Sequence, residues 1–194
     1  MIFIGICGPS NSGKSSLCEE LIKKYDAGWI EVDHYIKDKK DIPFKGKYRN
    51  WELPKNHRFD KLLADLKKLS SDKTISHPIY SWKKGKVKGD RKIKPKKIIF
   101  IEGFYLFSDK KIRDMLDVKI YLNITSKELR KRRTCNEEGY EWDKREYLDK
   151  VYFPMYQRYG ITQKEYADYI INANVSLQEV EEKVKKIVES KLHS

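Results

Sequence analysis

The chain opens with Ile2-Phe3-Ile4-Gly5-Ile6 and then reads Gly8-Pro9-Ser10-Asn11-Ser12-Gly13-Lys14-Ser15. An apolar run without alternation is typical of a central parallel strand that is covered on both faces. The second stretch matches the pattern G-x-x-x-x-G-K-[ST], which forms a phosphate-binding loop where a strand precedes it and a helix follows. Leu17 and Leu21 stand at helical spacing and predict that helix over about residues 14–25.

The loop at residues 8–15 has the chemistry that phosphate binding needs. Glycines let the backbone wrap around a phosphate, and successive N–H groups at the start of the helix point at the anion. Lys14 is expected to reach the β- and γ-phosphates of ATP, and the Ser15 hydroxyl to ligate Mg²⁺. The predicted ATP-binding residues are Gly8, Ser10, Asn11, Ser12, Gly13, Lys14, Ser15 and Ser16. The motif alone does not separate GTPases, ATPase motors and small-molecule kinases, but no N-K-x-D segment is present to read guanine.

Strands alternate with helices along the rest of the chain. Further strands are predicted at 29–32, 98–101, 118–124 and 167–171, and helices at 59–69, after the capping box at 125–128, at 143–158 with an interruption at Pro154, and from Ser176 onward. This order predicts an α/β fold of the P-loop NTPase type: a five-stranded parallel sheet with helices on both faces. We expect one domain, residues 1–194, with a substrate-side loop at 37–56 and a basic hairpin or loop at 81–97.

Two acidic residues follow predicted strands. Asp33 comes after the second strand and Glu102 after the third. Because the carboxyl ends of parallel strands meet at one edge of a sheet, both should converge with Gly8 on one crevice. Asp33 could accept a proton from an attacking hydroxyl, hold Mg²⁺, or do both. The predicted metal ligands are Ser15, Asp33 and Glu102.

The composition is strongly basic, since 42 Lys+Arg against 29 Asp+Glu gives a formal charge of +13. Such a surface attracts phosphorylated ligands, nucleic acid or anionic membranes. No apolar stretch approaches the ~20 residues of a membrane span, and the short N-terminal run lacks the features of a signal peptide. Three scattered cysteines, Cys7, Cys18 and Cys135, fit reduced thiols. We therefore expect a cytoplasmic protein with no membrane partner, and the oligomeric state stays open.

Several motifs in order resemble the uridine kinase and nicotinamide riboside kinase group of P-loop kinases, and they span nearly the whole chain. The matching segments are Gly8–Ser15, Asp33–Tyr35, Asn50–Pro54 with Phe59–Asp60, Pro78–Tyr80, Ile101–Phe104, Leu129–Arg133 and Ala167–Ile171. The resemblance implies an ATP-dependent, Mg²⁺-requiring kinase that acts on the 5′-hydroxyl of a ribonucleoside.

Within that group, different segments of the chain resemble different kinases. Residues 101–107 and 153–156 are more similar to nicotinamide riboside kinases, whereas 167–171 is more similar to uridine kinases. Uridine kinases carry a His that contacts the pyrimidine shortly after the element matched by 78–80, and this chain has Trp82 and no His there. The resemblance leaves the base open between nicotinamide and uracil or cytosine.

The resemblance also implies roles for single side chains. Asp33 would be the general base, Trp51 would stack on the base, and Glu52, one methylene longer than the family's Asp, would hold the ribose diol. The resemblance further implies a small Arg-bearing lid at residues 125–142. In it, Arg132 and Arg133 would close over the phosphates and neutralise the charge that develops in transfer. The predicted catalytic residues are Asp33, Lys14, Arg132 and Arg133, and the predicted substrate-binding residues are Asp33, Tyr35, Trp51, Glu52, Tyr80, Arg133 and Tyr140.

A second hypothesis comes from the basic residues of the segment 83–97. The chain could be a nucleic-acid-associated P-loop NTPase or binding module that uses this segment for phosphate contacts. Only Trp82 is near enough to stack on a base there. We favour the kinase and interpret the basic segment as a solvated hairpin beside the substrate pocket, so a nucleoside rather than nucleic acid is the expected partner.

Overall fold

The computed structural model describes residues 1–134 and 140–193. Its strands are β1 Ile2–Cys7, β2 Gly28–Glu31, β3 Phe44–Lys45, β4 Tyr48–Arg49, β5 Ile75–Ser81, β6 Lys86–Ile93, β7 Ile98–Gly103, β8 Val118–Asn123 and β9 Tyr169–Asn172. Five of them form a sheet in the order β2-β7-β1-β8-β9, and every neighbouring pair is parallel. The predicted five-stranded parallel sheet is confirmed.

The α-helical segments are α1 Lys14–Tyr25, α2 Phe59–Ser70, α3 Lys110–Arg113, α4 Ser126–Thr134, α5 Arg145–Tyr147, α6 Phe153–Met155 and α7 Leu177–His193. The helix predicted over 143–158 is a run of short segments, because π-helical turns at Leu148–Tyr152 and Tyr156–Gly160 flank α6. Pro154 lies in α6 and has no N–H to donate, so the regular α-helical ladder is interrupted around it.

Alternate residues of the strands belong to two hydrophobic cores, one on each side of the sheet. Ile4 and Phe100 face α1 and α7 on one side of the sheet. Ile99 and Ile101 face α2 and α3 on the other side. All four side chains are at most 1% exposed, and burying a side chain of this size contributes about 1.5–3 kcal/mol. The sheet therefore has helices on both faces, as predicted.

Two small antiparallel hairpins lie outside the main sheet. β3 and β4 form one inside 37–56, so this segment is not wholly a loop. β5 and β6 form the other, and the basic segment supplies its second strand. The predicted strand at 29–32 ends one residue early, because pairing with β7 stops at Glu31 and the chain turns into a 3₁₀ segment, Val32–Tyr35. Asp33 therefore lies on a turn.

Of the two predicted capping boxes, the one before α7 forms completely and the one before α4 forms in part, because the Thr125 N–H donates to Asn174 and not to Glu128. The Glu128 N–H donates to Thr125 Oγ1 at 3.3 Å before α4, and Ser176 and Glu179 bond reciprocally before α7. Part of the predicted lid region and the Cys135 thiol fall at 135–139, outside the described residues. Among the described residues no helix is long and apolar enough to cross a membrane.

Candidate active site

The loop between β1 and α1 has the backbone of a phosphate cradle. Gly13 has φ 94° and caps the N-terminus of α1. Gly8 has φ 154°, and a Cβ there would lie 2.8 Å from the Leu122 carbonyl oxygen. Both positions therefore require glycine. Ser10 and Asn11 face the neighbouring cleft, while Ser16 is exposed on the first turn of α1.

The side chains of the loop converge with Glu102 at the end of β7. Lys14 is buried, and its Nζ donates to the Pro9 carbonyl at 3.0 Å. The Ser15 hydroxyl donates to Glu102 Oε1 at 2.9 Å. The Ser12 hydroxyl is buried and has no hydrogen-bond partner among the described residues. A bound phosphate would supply this missing partner, so the loop fits the phosphates of ATP.

The electrostatics of the crevice favour a divalent cation. Burial raises the pKa of Glu102 to about 7, and the carboxylates of Asp33 and Glu31 add to this rise while Lys14 opposes it. A bound cation would relieve that repulsion. Hydroxyl and carboxylate oxygens are the ligands that Mg²⁺ prefers. Ser15, Glu102 and Asp33 therefore fit a Mg²⁺ ion.

Asp33 is held by a histidine that the sequence did not point to. His57 Nε2 lies 3.6 Å from Asp33 Oδ1, and His57 is 8% exposed. Burial pushes the pKa of Asp33 up, but the charge and contact of His57, together with Lys14, outweigh it and lower the pKa. Asp33 is therefore an anion at neutral pH and can accept a proton from a hydroxyl placed beside it.

A cleft of about 210 Å³ runs from the phosphate-binding loop past Asp33. Its lining includes Ser10, Asn11, Asp33, Ile36, Trp51, Glu52, His57, Trp82, Phe104, Tyr105, Arg133, Tyr140, Trp142 and Asp143. The structure thus places most of the predicted substrate-binding residues in the lining of this cleft. Tyr35 and Tyr80 are not in it.

Glu52 is buried in the cleft wall with a defined set of partners. Tyr147 donates its hydroxyl to Glu52 Oε1 at 3.1 Å, and Tyr105 donates to the Glu52 carbonyl at 3.0 Å. Burial raises the pKa of Glu52, while Arg133 and Tyr147 oppose the rise. The carboxylate is therefore fixed in position in a poorly solvated place, where ligand hydroxyls are valuable partners.

The two lid arginines have different environments. Arg133 is buried over the Tyr152 ring, 4.1 Å from its centroid, and donates to the Trp142 carbonyl at 3.1 Å. Its Nε and Nη1 find no hydrogen-bond partner in the described parts of the chain, so they are available to a ligand. Arg132 instead bonds to Glu128 at 2.9 Å and to the Ala173 carbonyl at 2.9 Å. It is held beside the phosphate-binding loop and does not line the cleft.

Three tryptophans form an aromatic cage at the other end of the cleft. Trp51 meets Trp82 and Trp142 edge-on, with ring centroids 5.9 and 5.4 Å apart, and Trp82 lies 5.7 Å from Trp142. Tyr140 stacks on Trp142 at 4.5 Å. Sequence reasoning found Trp51 and Tyr140 but did not assign Trp82 and Trp142 to the pocket. A large aromatic residue inside a charged, polar segment was the available signal in both cases.

The two remaining predicted tyrosines pack elsewhere. Tyr35 belongs to the core beneath α2 and donates to Asp65 Oδ2 at 3.0 Å. Tyr80 lies against Trp82, with ring centroids 4.9 Å apart, and is 3% exposed. Tyr80 therefore packs against Trp82 of the cage without lining the cleft, and Tyr35 packs beneath the turn that carries Asp33.

Comparison with known proteins gives one family. The family model described as "Phosphoribulokinase / Uridine kinase family" matches residues 3–181. A uridine kinase from Clostridium botulinum is 35% identical over 181 residues, which is 88% of this chain and 87% of that protein. A possible uridine kinase from Bacillus stearothermophilus has a similar fold, with a TM-score of 0.66, 18% identity and 88% coverage of both chains. Shikimate kinase from Acinetobacter baumannii shares the fold with a TM-score of 0.56, 17% identity and coverage of 98% and 94%. The chain therefore belongs to the phosphoribulokinase/uridine kinase family.

Proposed function

We propose that this protein is an ATP-dependent, Mg²⁺-requiring kinase that phosphorylates the 5′-hydroxyl of a ribonucleoside. The observation that carries the proposal is the single cleft that joins the phosphate-binding loop, Asp33, Glu52 and the aromatic cage. These features match, in order, the donor phosphates, the attacking hydroxyl, the ribose diol and the base. The names of the uridine kinase relatives support the same substrate class.

The residues around the phosphate-binding loop would carry out phosphoryl transfer. Bound Mg-ATP would supply the transferable phosphoryl group and a cation that neutralises its charge. Lys14 would hold the β- and γ-phosphates, and Ser15 and Glu102 the metal ion. Asp33, anionic and steadied by His57, would accept the proton of the 5′-hydroxyl as that oxygen attacks.

The middle of the cleft would recognise the sugar. One oxygen of Glu52 is taken by Tyr147, and the carboxylate can still accept hydrogen bonds from ribose hydroxyls. Arg133 adds unpartnered N–H groups next to it within the described structure. This arrangement would favour ribose over deoxyribose.

The aromatic cage would hold the base, and two bases have specific support. The relatives are uridine kinases, which favours uridine or cytidine. Three indole rings with the acidic Asp143 in the same lining favour a flat cation, because aromatic faces and carboxylates both attract positive charge. Nicotinamide riboside, with its pyridinium ring, is that kind of substrate.

A substrate panel tests the proposal. The protein is incubated with Mg-ATP and uridine, cytidine or nicotinamide riboside, and nucleoside 5′-monophosphate and ADP are quantified. We expect at least one nucleoside to be phosphorylated, and the ranking of charged and neutral bases decides between the two substrates. ATP hydrolysis that RNA or DNA stimulates, with no nucleoside product, would instead support the nucleic-acid-associated NTPase.

A further inference from the structure

Glu31, His34 and His77 form a cluster on the side of the Asp33 turn that faces the β5–β6 hairpin. Glu31 ends β2, His34 lies on the following 3₁₀ turn, and His77 lies on β5. Glu31 Oε2 is 3.6 Å from His34 Nδ1 and 3.9 Å from His77 Nε2. The three candidate ligand atoms all lie within 4.8 Å of one another.

His77 lies between two polar neighbours, with Tyr35 on its Nδ1 side and Glu31 on its Nε2 side. Tyr35 gives its hydroxyl proton to Asp65 at 3.0 Å, so its oxygen can accept from His77 Nδ1, which lies 3.4 Å away. A neutral His77 that donates from Nδ1 presents a lone pair at Nε2. That lone pair faces the Glu31 carboxylate oxygen.

In that tautomer a buried imidazole lone pair faces a carboxylate oxygen. His77 is 0% exposed, and its Nε2 and the His34 Nδ1 have no hydrogen-bond partner among the described residues. A cation between the three side chains would give both imidazole nitrogens a partner and would share the Glu31 carboxylate with Arg91.

We propose that Glu31, His34 and His77 bind a divalent transition-metal ion of the Zn²⁺ class. Two imidazoles and a carboxylate are an established zinc ligand set, with a water in the fourth position. Bonds of about 2.0–2.1 Å in a tetrahedral site place ligand atoms about 3.3 Å apart. The two distances from Glu31 Oε2 exceed this by a few tenths of an ångström, and all three ligand atoms lie within 4.8 Å of one another, so side-chain rotations that bring the two imidazoles together would close the site.

The surroundings of the cluster support a metal ion of this type. The chain from His77 through Tyr35 to Asp65 is the kind of outer hydrogen bonding that orients a metal-bound imidazole. Imidazole ligands select Zn²⁺ over Mg²⁺, which prefers oxygen. The site is thus chemically distinct from the Ser15 and Glu102 oxygens and does not depend on the proposed function.

Arg91 competes with a metal ion for the Glu31 carboxylate. Its Nη2 donates to Glu31 Oε2 at 2.9 Å and also to the Trp29 carbonyl. A metal ion must share the carboxylate with this guanidinium and meets its positive charge. Removal of Arg91 should therefore strengthen metal binding.

The test uses the full chain with Cys135→Ser, stripped of metal and kept in excess Mg²⁺. Zn²⁺ is titrated calorimetrically, and Co²⁺ is added separately to read its visible absorption. We expect one Zn²⁺ per chain and the intense Co²⁺ bands of a tetrahedral site. Loss of a ligand in His34→Asn or His77→Gln should weaken binding at least about 100-fold, since even outer-shell changes cost 10- to 100-fold.

The controls separate this site from other histidines. His193→Asn changes an exposed residue near the end of α7 and should bind Zn²⁺ as the parent does. Arg91→Met should bind more tightly. If His77→Gln does not fold, His34→Asn still decides, because His34 is partly exposed. Zn²⁺ affinity that is unchanged in His34→Asn, weaker in Arg91→Met, or absent in the parent chain would overturn the proposal.

Discussion

Asp33 and Glu52 are carboxylates of one cleft in different electrostatic settings. His57 and Lys14 lower the pKa of Asp33 against the effect of burial, whereas burial raises the pKa of Glu52 despite Arg133. A group that stays anionic suits proton acceptance. A carboxylate in a drier place suits recognition, because each hydroxyl it binds replaces a costly unmet hydrogen bond. Substitutions of Asp33 and Glu52 are therefore expected to change different kinetic properties.

Asp33→Asn should lower kcat by about 10²–10⁴-fold with little change in nucleoside KM, because the amide keeps the shape but cannot take the proton. Steady-state kinetics on the nucleoside measures both constants. Asp38→Asn is the matched control, since Asp38 pairs with Arg58 at 3.9 Å and does not line the cleft. A change in KM alone would make Asp33 a binding residue.

Glu52→Ala should reduce the preference for a ribonucleoside over its 2′-deoxy analogue. In the parent protein a missing hydroxyl leaves part of the carboxylate unpaired, which costs about 1–3 kcal/mol, or roughly one to two orders of magnitude in kcat/KM. Without Glu52 that penalty disappears, so kcat/KM falls more for the ribonucleoside than for its 2′-deoxy analogue. The ratio of kcat/KM for the matched pair is the measurement. An unchanged ratio would show that Glu52 does not sense the sugar.

The β5–β6 hairpin has two faces with different consequences. Trp82 follows β5 and lines the cleft, whereas Lys86 and Lys88 are exposed on β6. The lysines therefore contribute to surface charge, and the indole contributes to the cage. One hairpin thus explains both the basic composition of the segment and its place beside the cleft.

Trp82→Ala should raise the KM for the nucleoside by about 5- to 150-fold, since stacking on an aromatic ring is worth about 1–3 kcal/mol per base. The KM for ATP should stay close to that of the parent. Lys88→Ser, on the same hairpin, should change neither constant. Equal loss of nucleoside kinase activity in Trp82→Ala and Lys88→Ser would reject the division of the hairpin into two faces. Loss of that activity in Lys88→Ser, together with loss of a salt-sensitive RNA affinity, would reject it as well.

Much of the molecule's architecture could be predicted from local sequence. The apolar runs, the phosphate-binding loop and the capping boxes each act within a few residues, and the parallel sheet follows from their alternation. Ser15 and Glu102 are both predicted metal ligands, and the structure places them in hydrogen-bond contact. These features depend on local backbone conformation, which short segments specify, whereas the strand order β2-β7-β1-β8-β9 was not predicted.

The contacts that were missed join distant parts of the chain. His57 reaches Asp33 across the segment 37–56, and Trp142 joins Trp51 from the lid side. The placement of Tyr35 in the core rather than the cleft depends on Asp65 in α2. No local periodicity encodes such pairings, because they arise only when the loops pack over the edge of the sheet.

The cysteines report on the integrity of the whole fold. Cys7 and Cys18 lie in β1 and α1, are 0% exposed and are free thiols. Burial raises the pKa of Cys7 to about 12, so at pH 8 this thiol stays protonated and unreactive while the protein is folded. At most one of the three cysteines should react quickly with a chromogenic disulfide reagent, and all three should react in denaturant. Two or more fast thiols in buffer would contradict the packing of the central strand.

The stoichiometry of the reaction is the most direct measurement of the proposed function. ADP and nucleoside 5′-monophosphate are quantified by chromatography in the same samples, with the parent chain, Asp33→Asn and no added nucleic acid. We predict that the parent forms the two products in a one-to-one ratio and that Asp33→Asn forms both far more slowly. ADP that accumulates without any nucleoside monophosphate, whichever ribonucleoside is supplied, would contradict the assignment of this cleft to ribonucleoside phosphorylation.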